Sequence, residues 1–410
     1  MELAIKILNR IKISKPQKKF LLTLFTTILV TRGKINFRNM SRYSDFCEHT
    51  YSRNFAKPFD FIGFNREVID ETFGQESDRI LAFDPSFIKK AGKHTFSRDS
   101  FWNGCASKAQ KGLEISALAV VDIDQHTALT LSVEQTLSQE EVKRKGPDAH
   151  GKDKDEKATR MQQYLDHIGK VTPHLTASEH YIVVDGSFAN AAFMDGITTL
   201  NKDVVGKLRC DANCRYLYKG PKREGRGRQK TYDGKVNWQD LSRFDCVGND
   251  GDVTLYSGLL NHISFSRNLK VVVLLKKQEG ETPCYVILFS TDESLDAWQV
   301  YRYYKARFQI EFLFRDAKQF TGLCDCQARD QARLNFHFNA SLTTLNLAKS
   351  ECLNAKKKDG VHRFSMGSVK IRAFNQHYLN RIIRIFGLEH TCIKKRPEYQ
   401  SLKDYGARAA

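Results

Sequence analysis

The sequence predicts an α/β fold built in layers, with an antiparallel β block inserted into it and helical regions at both ends. Two observations lead to this prediction. Apolar runs with the composition of buried strands begin at Arg79 and alternate with helical patterns as far as about residue 210. Short strands separated by Gly-rich turns then follow up to about Pro283, and helical periodicity returns after them.

Composition and charge indicate the class of partner. The 410 residues suffice for two or three domains, and 41% hydrophobic with 27% charged residues is typical of a soluble globular protein. The net charge of +18 and the pI near 9.4 indicate a polyanionic partner, with nucleic acid ahead of an anionic membrane surface. Ten cysteines are scattered without the spacing of a disulfide framework or a zinc site, which indicates reduced intracellular thiols.

The most apolar run near the N terminus is "FLLTLFTTILV", which follows a group of lysines. A signal peptide is one interpretation. However, the 11 residues from Phe20 to Val30 are about half of a membrane span and lack a small-residue cleavage site. We therefore predict a buried helix in a cytoplasmic protein that has no membrane partner.

The helical segment formed by residues 1–78 has two interpretations. Its arginines, among them Arg38 and Arg53, suit a helix-turn-helix-like DNA-binding domain, and Ser41 and Ser44 are the predicted helix caps. An ordinary helical bundle whose arginines face solvent explains the pattern equally well.

Two apolar strands are each predicted to end in an aspartate. "RILAFDPSF" supplies Asp84 and "HYIVVDGSF" supplies Asp185, with a predicted hairpin, "LEISALAVVDID" and "ALTLSVEQT", between them. Open α/β sheets assemble their sites at the carboxyl ends of such strands. An aspartate after a strand is also a common turn residue, so the pair gains force only with a third acid.

The third acid lies in a helix predicted between Thr291 or Ser294, as the cap, and Gly322 at the end. At about 100° per residue, one face of this helix carries a polar stripe within an arc of about 60°, and the phenylalanines cover the remainder. The stripe consists of Tyr304, Arg307, Glu311 and Lys318. A stripe on a solvated surface helix is the alternative. With two aspartates, Glu311 completes the set of carboxylates that a hard ion such as Mg²⁺ requires.

The β block, residues 211–283, carries a basic loop from Tyr218 to Lys235 with seven basic and two acidic residues. Arg226, Arg228 and Lys230 are its candidates for contact with phosphates. A solvated loop tip is equally compatible with this composition.

The spacing Y-x2-R-x3-E-x6-K resembles the signature of the DDE transposases of bacterial insertion sequences, in particular the insertion-sequence-four type group. "FDPSFIKKAGK" and "YIVVDGSF" resemble the strands that carry the first and second catalytic Asp of this family. The similarity covers about residues 79–346. Pro85 departs from the pattern, because many relatives have a second acid there, and Phe308 stands where many have Trp, a change expected on the packing side.

The resemblance implies an RNase H-like catalytic domain with a mixed sheet. In it, Asp84, Asp185 and Glu311 hold two Mg²⁺ ions, for which Mn²⁺ can substitute. The enzyme cuts transposon ends and joins them to target DNA, and it acts as a homodimer assembled on DNA in the bacterial cytoplasm, at the nucleoid. The resemblance further implies that Tyr304, Arg307 and Lys318 grip the transposon-end phosphates.

The resemblance also makes Trp238, in the polar setting "GKVNWQD", a candidate for stacking on a displaced base. A place in the local core of the β block is the alternative for this residue.

The predicted domains are residues 1–78, the catalytic residues 79–210 with 284–346, the β insertion 211–283, and a basic helical region 347–410. The last 70 residues carry 14 Lys plus Arg against 5 Asp plus Glu, which favours contact with DNA. No nucleophile elbow and no phosphate-binding Walker loop occur. The alternatives to a transposase are an RNase H-fold nuclease without strand transfer and a non-catalytic DNA-binding relative.

Overall fold

The computed structural model describes residues 1–74, 77–145, 160–222, 224–276, 284–359, 364–388 and 390–408. Most of the charged loop from Lys143 to Lys157 lies outside these residues. The helices are α1 (Glu2–Arg10), α2 (Lys15–Val30), α3 (Phe37–Met40), α4 (Glu48–Phe55), α5 (Phe61–Thr72), α6 (Gln139–Lys145), α7 (Arg160–Val171), α8 (Ala191–Thr199), α9 (Ala297–Ala306), α10 (Gln309–Phe320), α11 (Gln331–Asp359), α12 (Met366–Ile385), α13 (His390–Lys394) and α14 (Pro397–Asp404).

The strands form one sheet of twelve within the described residues. They are β1 (Arg79–Lys89), β2 (Asp99–Asn103), β3 (Lys108–Asp122), β4 (Thr127–Gln135), β5 (Tyr181–Val183), β6 (Asp203–Leu208), β7 (Cys214–Leu217), β8 (Tyr232–Lys235), β9 (Asp245–Asp250), β10 (Val253–His262), β11 (Arg267–Lys276) and β12 (Cys284–Ser290).

Part of this sheet is mixed, and it holds the two predicted aspartates. β1 pairs antiparallel with β3, and β3 pairs antiparallel with β4 through the predicted hairpin turn. On its other side β1 runs parallel to β5, and β5 runs parallel to β6. The carboxyl end of β5 therefore lies beside the middle of β1, and the carboxyl end of β6 lies on the other side of β5.

The β block extends the same sheet. β12 pairs antiparallel with β6, and β11, β10 and β7 continue outward from it, also antiparallel. The predicted antiparallel pairing is confirmed. Its continuity with the mixed strands through the pair β12 and β6 was not predicted from the sequence.

Alternation along β1 separates two apolar layers. Ile80 and Ala82 belong to a cluster that includes the buried residues of α9, α10 and α11. Leu81 and Phe83 belong to a second cluster with α7 and α8. Because neighbouring residues of a strand point to opposite faces, the sheet is covered by helices on both sides.

The N-terminal helices pack on α11. The apolar run Phe20–Val30 is largely buried in α2, as predicted, in a cluster that includes Phe336 and Leu347 of α11. The predicted caps are wrong: the Ser41 hydroxyl donates to a backbone carbonyl, and the Ser44 hydroxyl bonds to Tyr51.

The side chains that do cap these helices are short polar ones at other positions: Ser14, Asn36 and Asp60. Farther along the chain, the basic helix α12 contacts α2. In the described part of the chain, no helix is both long enough and apolar enough to cross a membrane.

Candidate active site

Asp84 and Asp185 lie side by side on neighbouring parallel strands. Ala82 of β1 pairs with Val183 of β5, so the two aspartates stand two residues farther along the same register. Adjacent strands are about 4.8 Å apart. Asp185 follows β5 as predicted, and its Oδ1 accepts a 2.9 Å hydrogen bond from the Ser187 backbone N–H.

The predicted place of Asp84 at a strand end is wrong. β1 continues through Asp84 to Lys89, because β3 pairs with it along its whole length and sets Ala117 opposite Asp84. The unbroken apolar run of β1 stops at Asp84, whereas the hydrogen bonds to β3 continue beyond it. Asp84 thus lies within a strand that is longer than its parallel partner.

The Asp84 carboxyl faces α9 and α10, since Asp84 shares its face of β1 with Ile80 and Ala82. Burial raises the pKa of Asp84 to about 7. The nearby Arg307 guanidinium lowers this pKa, the Asp185 and Glu311 carboxylates raise it, and the Lys318 ammonium lowers it. The three predicted acids and two of the predicted cations therefore lie within one electrostatic environment.

The single helix predicted between Thr291 and Gly322 is two helices, α9 and α10, so that prediction is wrong. Asp296 caps α9, and its Oδ2 accepts hydrogen bonds from two backbone N–H groups. The chain then tightens at Arg307 and Phe308, where backbone bonds join residues three apart instead of four. Gly322, at φ 73°, ends the segment as predicted.

The two serine and threonine caps predicted for this helix have other roles. The Thr291 hydroxyl donates to Asp203, and the Ser294 hydroxyl donates to Asp292. Both bonds stabilise the loop that precedes α9. The helix itself begins after this loop, at its cap Asp296.

The break changes how the polar residues are presented. Glu311 stands in the first turn of α10, where the positive end of the helix dipole favours a carboxylate. Arg307 lies at the carboxyl end of α9, and its Nη2 donates to Glu311 Oε1 at 2.8 Å. The Arg307 guanidinium also lies 5.8 Å from the centre of the Tyr304 ring. The four residues thus remain together, although they do not form one helical stripe.

Arg307 retains an unused hydrogen-bond donor. Its side chain is 11% exposed, and its buried Nε has no hydrogen-bond partner among the described residues. Burial alone would lower the pKa of Arg307, but Tyr304, Asp84 and Glu311 raise it, so the guanidinium stays charged. A buried guanidinium with a free N–H suits an incoming phosphate oxygen.

Phe308 departs from the prediction, because it is 49% exposed and packs only edge-on against Phe312, with ring centres 5.3 Å apart. It lies at the break between the helices, where its side chain turns outward. The expected packing role of this position is therefore wrong.

The carboxylates fit a divalent ion in chemistry but do not enclose one as they stand. Among the described residues, no group of three or more His, Cys, Asp and Glu side chains is gathered closely enough to hold a metal. Charged groups affect one another's pKa over distances that are too long for them to bind one metal ion. In addition, the Glu311 carboxylate accepts a hydrogen bond from Arg307. The donors near Asp84 are carboxylate oxygens, which suit Mg²⁺ or Mn²⁺. All ten cysteines lie in the described part of the chain, and none of them forms a disulfide there.

A cavity of about 670 Å³ opens beside the helix break, and sequence reasoning missed its aromatic wall. Trp298, Tyr301 and Tyr304 line it with cations of α9. Lys305 and the Tyr301 hydroxyl both donate to Asp250 on the β block. The signal in the sequence is the aromatic density of "WQVYRYYK", which the spacing of the predicted stripe concealed.

The predicted site residues of the β block lie elsewhere. Trp238 is 8% exposed and donates its ring N–H to the Ala212 carbonyl at 2.9 Å, so it occupies the local core that the sequence left open as the alternative. Arg226 and Arg228 are exposed, and Lys230 bonds to Asp233 at 2.6 Å. In the described structure none of these side chains contacts the three acids.

A comparison with protein families finds a similarity over part of the chain. The model of the family described as DDE superfamily endonuclease matches residues 61–250. The match contains Asp84 and Asp185 and ends before Glu311. No curated protein matches the chain. The chain therefore has the mixed α/β, RNase H-like fold predicted for it, and residues 61–250 are similar to the DDE superfamily endonucleases, a class of nucleases and transposases that act on DNA.

Proposed function

We propose that the protein is a DNA transposase of the insertion-sequence-four type group, which cuts the ends of its element and joins them to target DNA. One observation carries the proposal: Asp84 and Asp185 stand side by side in a matched DDE endonuclease region, with Glu311 in the same electrostatic environment. The spacing of Tyr304, Arg307, Glu311 and Lys318 supports the narrower assignment.

Asp84, Asp185 and Glu311 would hold two Mg²⁺ ions, which when bound activate the attacking oxygen and stabilise the leaving one. The residues of the chain prepare the site in three ways. Asp84 gives up the proton that burial favours near pH 7, which leaves both of its oxygens free to bind a cation. Glu311, which accepts a hydrogen bond from Arg307, would be the third carboxylate to hold the ions. Arg307 then donates to the substrate phosphate, and Lys318 adds a second positive charge.

The proposed reaction has two steps. Water first attacks a phosphodiester at the element end, and the strand leaves as a 3′-hydroxyl. That hydroxyl then attacks a phosphodiester of the target, so that a new phosphodiester joins the element to the target while the target's P–O3′ bond breaks and a target 3′-hydroxyl leaves. The net charge of +18 supports DNA as the partner. We propose a homodimer that brings two ends together, at the nucleoid in the bacterial cytoplasm.

The test uses the DNA that surrounds the gene. Short inverted repeats found on both sides supply a labelled duplex, which is incubated with the full-length protein, Mg²⁺ and a supercoiled plasmid. The proposal expects cut ends and labelled plasmid, and expects Asp185→Asn to abolish both while DNA binding persists in a gel shift with Ca²⁺. Cut ends without labelled plasmid would indicate the nuclease alternative. DNA binding without cutting by the unsubstituted protein would indicate the non-catalytic relative.

A further inference from the structure

Lys207 stands next to Asp185 in the sheet. Val183 of β5 pairs with Val205 of β6, so Lys207 follows Val205 by the same two residues by which Asp185 follows Val183. A Cβ placed on Gly186 would lie 3.4 Å from the Lys207 carbonyl oxygen, which confirms that the two segments remain in backbone contact beyond the paired residues.

Lys207 also faces the same side of the sheet as the acids. Val205 belongs to the apolar layer beneath α9 and α10, and Lys207 follows it by one full alternation. Asp84, Asp185 and Lys207 therefore form a row across three adjacent parallel strands, with two carboxylates followed by one ammonium.

The Lys207 ammonium is uncommitted. Its side chain is exposed, and within the described residues it makes no hydrogen bond or ion pair, although a carboxylate stands on the neighbouring strand. The Asp185 carboxylate instead accepts from both the backbone N–H and the hydroxyl of Ser187. The ammonium thus remains available to a ligand.

Lys207 lines a cavity of about 590 Å³, which we name the Lys207 cleft. Its lining includes Asp185, Ser187, Lys207, Arg209 and Tyr304. The volume lies in the range of small-ligand pockets, about 300–1,000 Å³, which suits a nucleotide unit of a strand and not a whole duplex. Tyr304 lines this cleft and also the cavity beside Arg307, so it stands between them.

We propose that the Lys207 cleft binds the DNA strand to be cut, with the Lys207 ammonium on a phosphodiester next to the one that is attacked. This rests on the proposed function, since the strand is its substrate. The physical reason is electrostatic: the carboxylates repel the polyanion, and Arg307 lines the other cavity, across Tyr304 from this cleft. Lys207 supplies attraction on the Asp185 side, and Arg209, whose guanidinium bonds to Asp211 at 3.0 Å, marks the outer rim.

The test measures binding of a fluorescein-labelled duplex, made from the flanking repeats, by fluorescence anisotropy with Ca²⁺ over a series of salt concentrations. Lys207→Gln should weaken binding about five- to tenfold at physiological salt and reduce the slope of log K against log salt by about 1. Lys207→Arg should restore the slope. Lys170→Gln on α7, an exposed lysine on the opposite face, is the matched control and should change neither quantity.

A second measurement locates the contact. Duplexes that carry a single uncharged methylphosphonate near the cut are compared one position at a time. One position should weaken binding by the unsubstituted protein and have no effect on Lys207→Gln, while positions contacted by Arg307 keep their effect in both.

The outcomes separate this proposal from the proposed function. If the unsubstituted protein binds and cuts, yet Lys207→Gln keeps the full salt slope and every methylphosphonate effect, the cleft is not a phosphate site and the transposase proposal stands. If the unsubstituted protein binds without cutting, while Lys207→Gln loses one phosphate contact, the cleft is a phosphate site of a DNA-binding protein that does not cut, and the proposed function fails.

Discussion

Phe83 and Asp84 are consecutive residues of β1, and they face two different environments. On the α7 face, Phe83 lies 5.9 Å from the ring of His167. His167 is fully buried, and its two ring nitrogens contact the hydroxyls of Ser116 and Ser132 at 2.8 and 2.9 Å. Burial lowers the pKa of His167 to about 4, so the ring is neutral at pH 7. His167, Ser116 and Ser132 are thus buried polar side chains that pair with one another, and the ring between the two hydroxyls carries no charge.

The α10 face shows the opposite arrangement. In the described structure, the Asp84 carboxyl accepts no hydrogen bond, and two further acids lie in its electrostatic environment. The Arg307 Nε is buried without a partner there. Buried polar groups ordinarily find partners, because an unpaired one costs free energy. Paired polar groups on the α7 face therefore maintain the fold, whereas the Asp84 carboxyl and the Arg307 Nε, which have no partner on the α10 face of the described structure, remain available to a ligand.

The largest expected effect tests the α10 face directly. Glu311→Gln keeps the size of the side chain but removes the charge that helps to hold the ions, so end cleavage should fall by about a thousandfold or more. DNA binding in a gel shift should persist. Single-turnover cleavage of the labelled end measures the effect, and Asp84→Asn and Asp185→Asn should behave alike. Asp166→Asn on α7, an exposed acid, is the matched control. Cleavage by Glu311→Gln at near the unsubstituted rate would show that this face holds only a solvated pair of charges.

The second prediction concerns Trp238, which belongs to the same apolar cluster as Phe83. Trp238→Ala should lower the free energy of unfolding by about 3 kcal/mol, because it removes a buried ring and leaves a cavity. Urea denaturation measures this loss, and Trp238→Phe should recover most of it. End cleavage at low temperature should be unchanged. A variant that keeps its stability but alters base reactivity near the cut would support the stacking role predicted from the sequence.

The aspartates were identifiable from the sequence because each follows a short apolar run, a local pattern that survives in the fold. Glu311 was identifiable because its spacing from Tyr304 and Lys318 is a property of the sequence alone. The break between α9 and α10 does not change that spacing. The extent of β1 was not predictable, since pairing with β3 carries the strand past Asp84 and depends on residues about 30 positions away.

The helix break at Arg307 and Phe308 had no sequence signal either. Neither residue is Gly or Pro, the usual helix breakers, and the tightened turn coincides with the partly buried bond between Arg307 and Glu311. The role of Lys207 was not predictable from the sequence either, because Lys207 lies beside Asp185 only through the parallel pairing of β5 with β6.

The third prediction is that the free energy of unfolding depends on pH through the buried ring of His167. The pKa of His167 is about 4 in the folded protein, below its ordinary value of 6.5, so between these values the unfolded chain binds a proton that the folded protein does not. The free energy of unfolding should therefore fall as pH decreases from 6.5 to 4, with this ring contributing about 1–3 kcal/mol. His167→Gln should remove that part of the slope in urea denaturation. The exposed His174→Gln is the control. An unchanged slope in His167→Gln would mean that the ring accepts a proton inside the fold.

The smallest expected effect concerns Arg307, which holds Glu311 at 2.8 Å in the free protein. Arg307→Gln should strengthen Mn²⁺ binding in the absence of DNA by about three- to tenfold, or ~1 kcal/mol, since it releases the carboxylate and removes a positive charge that opposes the ion. End cleavage should nevertheless decrease, because the variant loses its donor to the substrate phosphate. Isothermal titration calorimetry measures the ion, and Arg302→Gln, whose guanidinium bonds to Asp124 at 3.2 Å, is the matched control on the same helix. If the α10 face is prepared for a ligand, Arg307→Gln should raise the affinity for the metal and lower the rate of cleavage. If Arg307→Gln binds Mn²⁺ no better than the unsubstituted protein, then Arg307 does not hold Glu311 away from the ion, and its bond to Glu311 is structural like those of the α7 face.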